Sequence, residues 1–326
     1  MVALSLACGA YDRTLPILNG QVRIEGVDLS AIALQPEETF FRMVSHREFD
    51  VSEMSFSSYL LTRERGEPFV AIPVFPSKSF RHSGVYVRAD AGIDRPEDLV
   101  GRTVGIPEFQ VTAAVWIRGI LSDYHSVPAD SVTYRNGGLY APGRSEKIAI
   151  QPRGIDLQPI RAHDTLGDAL LGGEIDAIYS PRPPKPFLDG DPRVVRLFAD
   201  TRAAETAYFR ASGIFPIMHT IVIRREVYER DRWIAQSLVK AFTEARDQAI
   251  AALKHPGALV TSLPFAAQDI LDTIELMGED YWSYGLPANR HNLETLVRYE
   301  HEQGLIAERP AVEDLFAPET LSSVVV

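Results

Sequence analysis

Two histidines stand where apolar segments begin. His219 closes Gly213-Ile-Phe-Pro-Ile-Met-His219 and leads into Thr220-Ile-Val-Ile223, and His82 sits in Phe80-Arg-His-Ser-Gly84, ahead of Val85-Tyr-Val87. Imidazole is the side chain whose ordinary pKa lies nearest neutrality, so a pair converging on one cleft is a source or sink of protons. The plainer reading of either ring is a hydrogen bond that steadies a hinge. Further candidates sit at the carboxyl ends of strands, the places that line the ligand crevice in open α/β sheets. Phe49-Asp-Val-Ser-Glu-Met54 delivers Glu53 and Ser55, and the strand ending at Tyr179 delivers Arg182. After Thr103-Val-Gly-Ile-Pro107, Gln110-Val-Thr-Ala-Ala114 opens a helix. The free amides near Thr112 favour an anion such as a carboxylate, although a plain cap is the simpler role for that threonine. No His-x-His or His-x-x-x-His pair offers local metal ligands. A divalent ion held by His82, His219 and Glu53 together is the weaker alternative to a metal-free site.

These residues need elements to hold them. The first third alternates strands and helices: Val2 to Ala7 reads as a strand, Tyr11 to Asn19 as helical, Val22 to Leu34 as two short strands around Glu25-Gly-Val-Asp28. Pro36-Glu-Glu starts a helix through His46. The pattern restarts in the middle third, and the last third is mainly helical, with a long amphipathic helix over Trp233 to Leu253. Residues 136–153 are rich in Gly, Pro and charge and read as a loop. The pattern predicts an α/β chain with two lobes, residues 1–84 plus 219–326 and residues 85–218. They are joined by hinge strands near Ser83 to Val87 and His219 to Ile223, with ligand in the interlobe cleft.

Composition narrows the function classes. At 326 residues the chain is long enough for two packed lobes. Lys plus Arg number 33 against 44 for Asp plus Glu, a formal charge of −11, so nucleic acid and anionic membrane are poor partners. Local arginines still leave room for a small anion. The lone Cys8 excludes an intramolecular disulfide and a cysteine-based zinc site. Without a basic n-region or a long apolar run at the start, the expected compartment is the cytoplasm. There is no Walker lysine, dinucleotide glycine pattern or Gly-x-Ser-x-Gly elbow, so no organic cofactor is expected. Self-association is left open.

Several stretches together resemble one known family. They are Asp50-Val-Ser-Glu-Met-Ser55, Phe80-Arg-His-Ser83, Thr112-Ala-Ala-Val-Trp116, Arg118-Gly-Ile-Leu121, Gly173-Glu-Ile-Asp-Ala-Ile178, Glu205-Thr-Ala-Tyr208, Gly213 to His219, and Arg224-Arg-Glu-Val-Tyr228. The pattern is similar, nearly end to end, to the 4,5-dihydroxyphthalate decarboxylase family, an enzyme offshoot of the type II periplasmic-binding-protein fold. The Met-His and Arg-His elements carry most of the specificity. The resemblance implies a cytoplasmic enzyme of aromatic-acid breakdown that converts 4,5-dihydroxyphthalate, or a related hydroxyaryl carboxylate, to protocatechuate or its counterpart.

Such a reaction has clear demands. Direct loss of CO2 from an aromatic ring leaves an sp2 carbanion. Protonating the ring carbon that bears the leaving carboxylate avoids it, helped by a hydroxyl para to that carbon. The site then needs a general acid, an acceptor for the phenol, and donors for the remaining carboxylate. His219 or His82 suits the acid and Glu53 the phenol. Arg81, Arg182 and Arg118 suit the carboxylates, because a planar guanidinium pairs with them bidentately. Phe215, Trp116 and Tyr86 are aromatic enough to sandwich a ring, although such residues more often fill a core. The competing class is a solute-binding module with no chemistry, using the same cleft and arginines. A relative in pyrimidine or thiamin precursor synthesis fits less well, because the Phe-Pro-x-Met-His pattern is wrong for it.

Overall fold

The computed structural model describes residues 1–255 and 257–322. In chain order its strands are β1 (Val2–Cys8), β2 (Val27–Ala33), β3 (Val51–Ser55), β4 (Phe69–Lys78), β5 (Val85–Arg88), β6 (Thr103–Ile106), β7 (Thr133–Asn136), β8 (Leu157–Pro159), β9 (Ala177–Tyr179), β10 (Val194–Arg196) and β11 (Ile217–Arg224). They form two separate sheets, ordered β2-β1-β3-β11-β4 and β10-β5-β9-β6-β7-β8.

The chain divides into two compact units. One comprises residues 1–78, 217–294 and 310–326, and the other comprises residues 79–216 and 295–309. This differs from the sequence expectation in two ways. The division falls at Lys78/Ser79 and Pro216/Ile217 rather than inside the segments after His82 and His219, so β5 and β11 each lie within a single sheet. Residues 295–309 belong to the second unit, because the carboxyl half of the helix Leu286–Glu302 packs there: Tyr299 meets Trp116 edge-on and Gln303 bonds Arg118. A helical period records that one face is buried but not against what, so this exchange is invisible in sequence.

In the first unit's sheet, β1 runs parallel to β2 and β3, while β11 runs antiparallel to both β3 and β4. The carboxyl ends of β1, β3 and β4 therefore meet the amino end of β11 at one edge. Residues 51–55 are all buried although three of them, Ser52, Glu53 and Ser55, are polar, so their side chains need partners inside the protein. Edge strand β4 tolerates Pro73 and Pro76, which have no N–H to give a ladder. Those prolines coincide with a register shift against β11, where His219 pairs with Ser77 but Ile221 with Ile72. The bulged segment aims its carbonyls away from the ladder, and each finds another donor. Pro73 O accepts from the Gly285 amide, Phe75 O from Trp282 Nε1, and Pro76 O from Arg13 Nε.

Two smaller readings shift. Residues 22–26 are irregular, leaving β2 as one strand. The helix after Tyr11 spans only Leu15–Leu18. In the helix Pro36–His46, Phe40 and Met43 face inward while Phe41 is exposed.

Candidate active site

The edge where these strand ends meet holds a paired carboxylate and imidazole. On the antiparallel ladder Ile221 lies opposite Glu53 and His219 opposite Ser55. Directly opposed residues share a face, so Glu53 and His219 are diagonal neighbours, within reach of long side chains. His219 Nδ1 lies 2.6 Å from Glu53 Oε1. The same oxygen accepts from the Tyr11 hydroxyl at 2.9 Å, and Oε2 accepts from the Gly9 amide at 2.8 Å. Glu53 is 0% exposed, whereas His219 keeps 17% of its side chain open. Phe40 meets the imidazole edge-on, 4.8 Å between centroids.

Burial by itself would raise the Glu53 carboxyl. The bond from His219 and its charge, with the Gly9 and Tyr11 donors, outweigh that and hold it below its ordinary value. A carboxylate only accepts, so the proton of the short contact sits on Nδ1 and leaves Nε2 as the working atom of the ring. Tyr11 is pushed up by burial and by the Glu53 charge, and stays a donor. Burial and the same charge keep the Cys8 thiol protonated, which removes it as a nucleophile.

This arrangement corrects the role foreseen for Glu53. Both of its oxygens are engaged and it has no exposed surface, so it acts on His219 and cannot receive a substrate phenol. Ser55 lies across from His219 as the N-cap of the helix Phe56–Arg63. The sequence motifs do not single out Gly9 and Tyr11, although both follow the carboxyl end of β1, where the strand-end rule points. A Cβ on Gly9 would sit 2.5 Å from Tyr11 Cζ, so Gly9 and the tyrosine ring are fitted to each other. At the end of β4, Lys78 is buried and donates to Ser283 O at 2.9 Å and Asn289 Oδ1 at 2.7 Å. Burial, with Arg246 assisting against Asp280, draws its pKa down to about 7.

The remaining candidates lie in the second unit. His82, 3% exposed, packs edge-on to Phe198 and against Tyr208, and its Nδ1 has no partner among the described residues. Burial, with His125 nearby, lowers its pKa to about 4. Burial thus favours the neutral ring, which weighs against the role of acid that the sequence left as an alternative to His219. Arg118 is a core residue, corrected from a carboxylate anchor. At 1% exposure its Nε bonds Gln303, its Nη2 bonds Phe109 O, and its plane covers the Phe109 ring. Gln110 is buried and donates to Glu146 and Ile148 O, pinning the 137–153 segment rather than facing a ligand. Glu146 also accepts the Phe109 amide, filling with a protein carboxylate a place expected for substrate. Thr112 is buried as the first residue of the helix Thr112–His125, and Val111 holds the cap position.

Arg81 is half-buried. Burial lowers its pKa to about 10 against the opposing charge of Glu205. Arg182 lies over the exposed Tyr140 ring at 5.3 Å. Phe215 stacks on Phe80, while Trp116 and Tyr86 are core. Among the described residues no three His, Cys, Asp or Glu side chains form a group able to hold a metal, so His82, His219 and Glu53 do not make one. No described helix is long and apolar enough to cross a membrane.

Comparison with known proteins gives this geometry a setting. A curated protein of Comamonas testosteroni named 4,5-dihydroxyphthalate decarboxylase is 40% identical over 322 residues, covering 98% of this chain and 98% of that protein. A second of the same name, from Pseudomonas putida, is 41% identical over 210 residues, covering 64% and 81% respectively. Residues 22–141 match the family described as NMT1/THI5 like. Among solved structures, the periplasmic aliphatic sulphonate binding protein SsuA from Escherichia coli aligns with a TM-score of 0.53 at 12% identity, covering 98% of this chain and 99% of that one. A putative periplasmic sulfonate-binding protein SsuA from Methylobacillus flagellatus aligns with a TM-score of 0.55 at 10% identity, covering 97% and 91%. At such identities the likeness establishes a periplasmic-binding-protein-like fold and nothing of the ligand.

Proposed function

The chain belongs to the 4,5-dihydroxyphthalate decarboxylase family, and we propose that it is a carboxy-lyase converting 4,5-dihydroxyphthalate to protocatechuate and CO2. The observation that carries this reading is the 2.6 Å contact between buried Glu53 and partly open His219. Protonated His219 delivers its Nε2 proton to the ring carbon that bears the leaving carboxylate. The hydroxyl para to that carbon supplies the electron push. The carbon–carboxylate bond then breaks, its electron pair restores the aromatic ring, and CO2 departs. Glu53 fixes the imidazole and offsets its positive charge while it is protonated, the role of the orienting carboxylate in any carboxylate–histidine pair. Water returns the proton to Nε2. Because the substrate provides its own electron push, no organic cofactor is assigned.

Structural likeness to sulphonate-binding proteins supports one competing reading, a ligand-binding role without turnover. Incubating purified protein with 4,5-dihydroxyphthalate, with and without a chelator, separates the two. Stoichiometric CO2 and protocatechuate are expected, with solvent deuterium appearing at the vacated ring carbon when the medium is D2O. Saturable binding without CO2 would leave the binding role. Activity lost to the chelator and restored by one divalent ion would replace the imidazole acid with a metal.

A further inference from the structure

The first unit contains an arginine that the motifs did not single out. Arg13 lies on the segment after β1, two residues beyond Tyr11. Its guanidinium carbon lies over two rings, 4.5 Å from the Tyr11 centroid and 4.0 Å from that of Trp282. Nε donates to Pro76 O at 2.6 Å and Nη1 to Asp12 at 2.9 Å, while Nη2 enters no hydrogen bond among the described residues. The side chain is 17% exposed, as open as that of His219. Two independent paths tie it to the acid. Through Tyr11 it reaches Glu53 Oε1, the oxygen that holds His219. Through Pro76 it abuts Ser77, the residue paired with His219 across the bulge.

We propose that Arg13 is the anchor for the spectator carboxylate, the one that survives decarboxylation. This rests on the decarboxylase reading. With the guanidinium placed over two rings and Nε and Nη1 engaged, Nη2 is the group left to meet a ligand. That geometry suits a planar carboxylate, and it costs little ordering because the fork is already fixed. The other partly buried arginine of this neighbourhood, Arg246, is committed to Asp247 through Nε and Nη2 and to Trp282 O through Nη1. Asp12 leaves the guanidinium with reduced net charge, which favours release of a monocarboxylate product.

Two ligands differ by the spectator carboxylate alone: protocatechuate carries it and catechol does not. Calorimetric binding of both to wild-type, Arg13→Met and Arg13→Lys proteins isolates the contact, since Met keeps an unbranched stem beside the rings. Wild-type protein is expected to prefer protocatechuate by roughly 10- to 100-fold, the range for a charge-assisted pair. In Arg13→Met the preference should collapse toward unity, and in Arg13→Lys it should fall part of the way. Equal weakening of both ligands indicates structural damage and overturns the anchor. So does an unchanged preference in either variant, or no preference in wild type. Should Arg13→Met fail to fold, Arg13→Lys decides alone. If wild type releases no CO2 yet Arg13→Met abolishes the preference, the anchor stands and the reaction falls. If CO2 is released and the preference is untouched, the reverse holds.

Discussion

His219 and His82 were indistinguishable by pattern, yet the two units treat them in opposite ways. His219 meets a carboxylate on one nitrogen and keeps part of its surface open. His82 meets aromatic rings, has an unpartnered Nδ1 and is held neutral, with its pKa near 4. Both are half or more buried. What separates the two rings is therefore the partner supplied with the burial, since desolvation alone drives imidazole toward its neutral form.

The contrast can be broken most severely at its centre. His219→Ala is expected to lower kcat by about 10²–10⁴-fold while ligand binding persists, whereas His82→Phe should stay within a few-fold of wild type. Steady-state kinetics beside calorimetry would check both, and equal losses in the two variants would erase the distinction. Glu53→Gln is next. An amide can turn its N–H toward Nδ1 and force the wrong tautomer, so a kcat loss of about 10²-fold or more is expected with KM little changed.

Stability against pH sharpens the comparison. The His82 pKa falls from 6.5 to about 4 on folding, so the unfolded chain binds the extra proton. The neutral-ring contribution is therefore fully present above about pH 6.5 and is lost as pH drops toward 4. It amounts to roughly 3 kcal/mol over that window. Glu53 is lowered from 4.5, so its contribution is present above that value and disappears only at more acid pH. Melting curves of His82→Phe should be flatter than wild type between pH 6.5 and 4, and those of Glu53→Gln flatter only below pH 4.5. A wild-type pH slope surviving in His82→Phe would refute the first assignment. The smallest effect belongs to Gly9→Ala. Its Cβ displaces the Tyr11 ring and removes one donor from Glu53, for a kcat loss of roughly 3- to 10-fold. Tyr11→Phe should match it.

Much of this was legible in the chain. The α/β alternation and the presence of two units follow from local patterns, whereas Glu53, expected at a strand's carboxyl end, sits in the middle of β3. Partners do not follow from such patterns. Glu53 looked like a phenol acceptor because Gly9, Tyr11 and His219 reach it only through strand pairing, which no local period reports. Arg118 looked available because its helix is merely apolar in sequence, and the carbonyl of Phe109 and the amide of Gln303 that engage it come from elsewhere. Arg13 gave no signal at all, since its significance depends on a bulge in β4.

The strand order β3-β11-β4 sets a timetable as well as a shape. The two strands that flank β11 leave the ribosome before residue 79, but β11 itself follows the whole segment 79–216. Until it inserts, β3 and β4 lack the strand that lies between them and Glu53 lacks its imidazole contact, an arrangement with a long loop to close and slow non-local pairing to complete. The Glu53–His219 contact spans 166 positions of chain. The carboxylate–imidazole pair is therefore assembled only in a molecule whose sheet is finished.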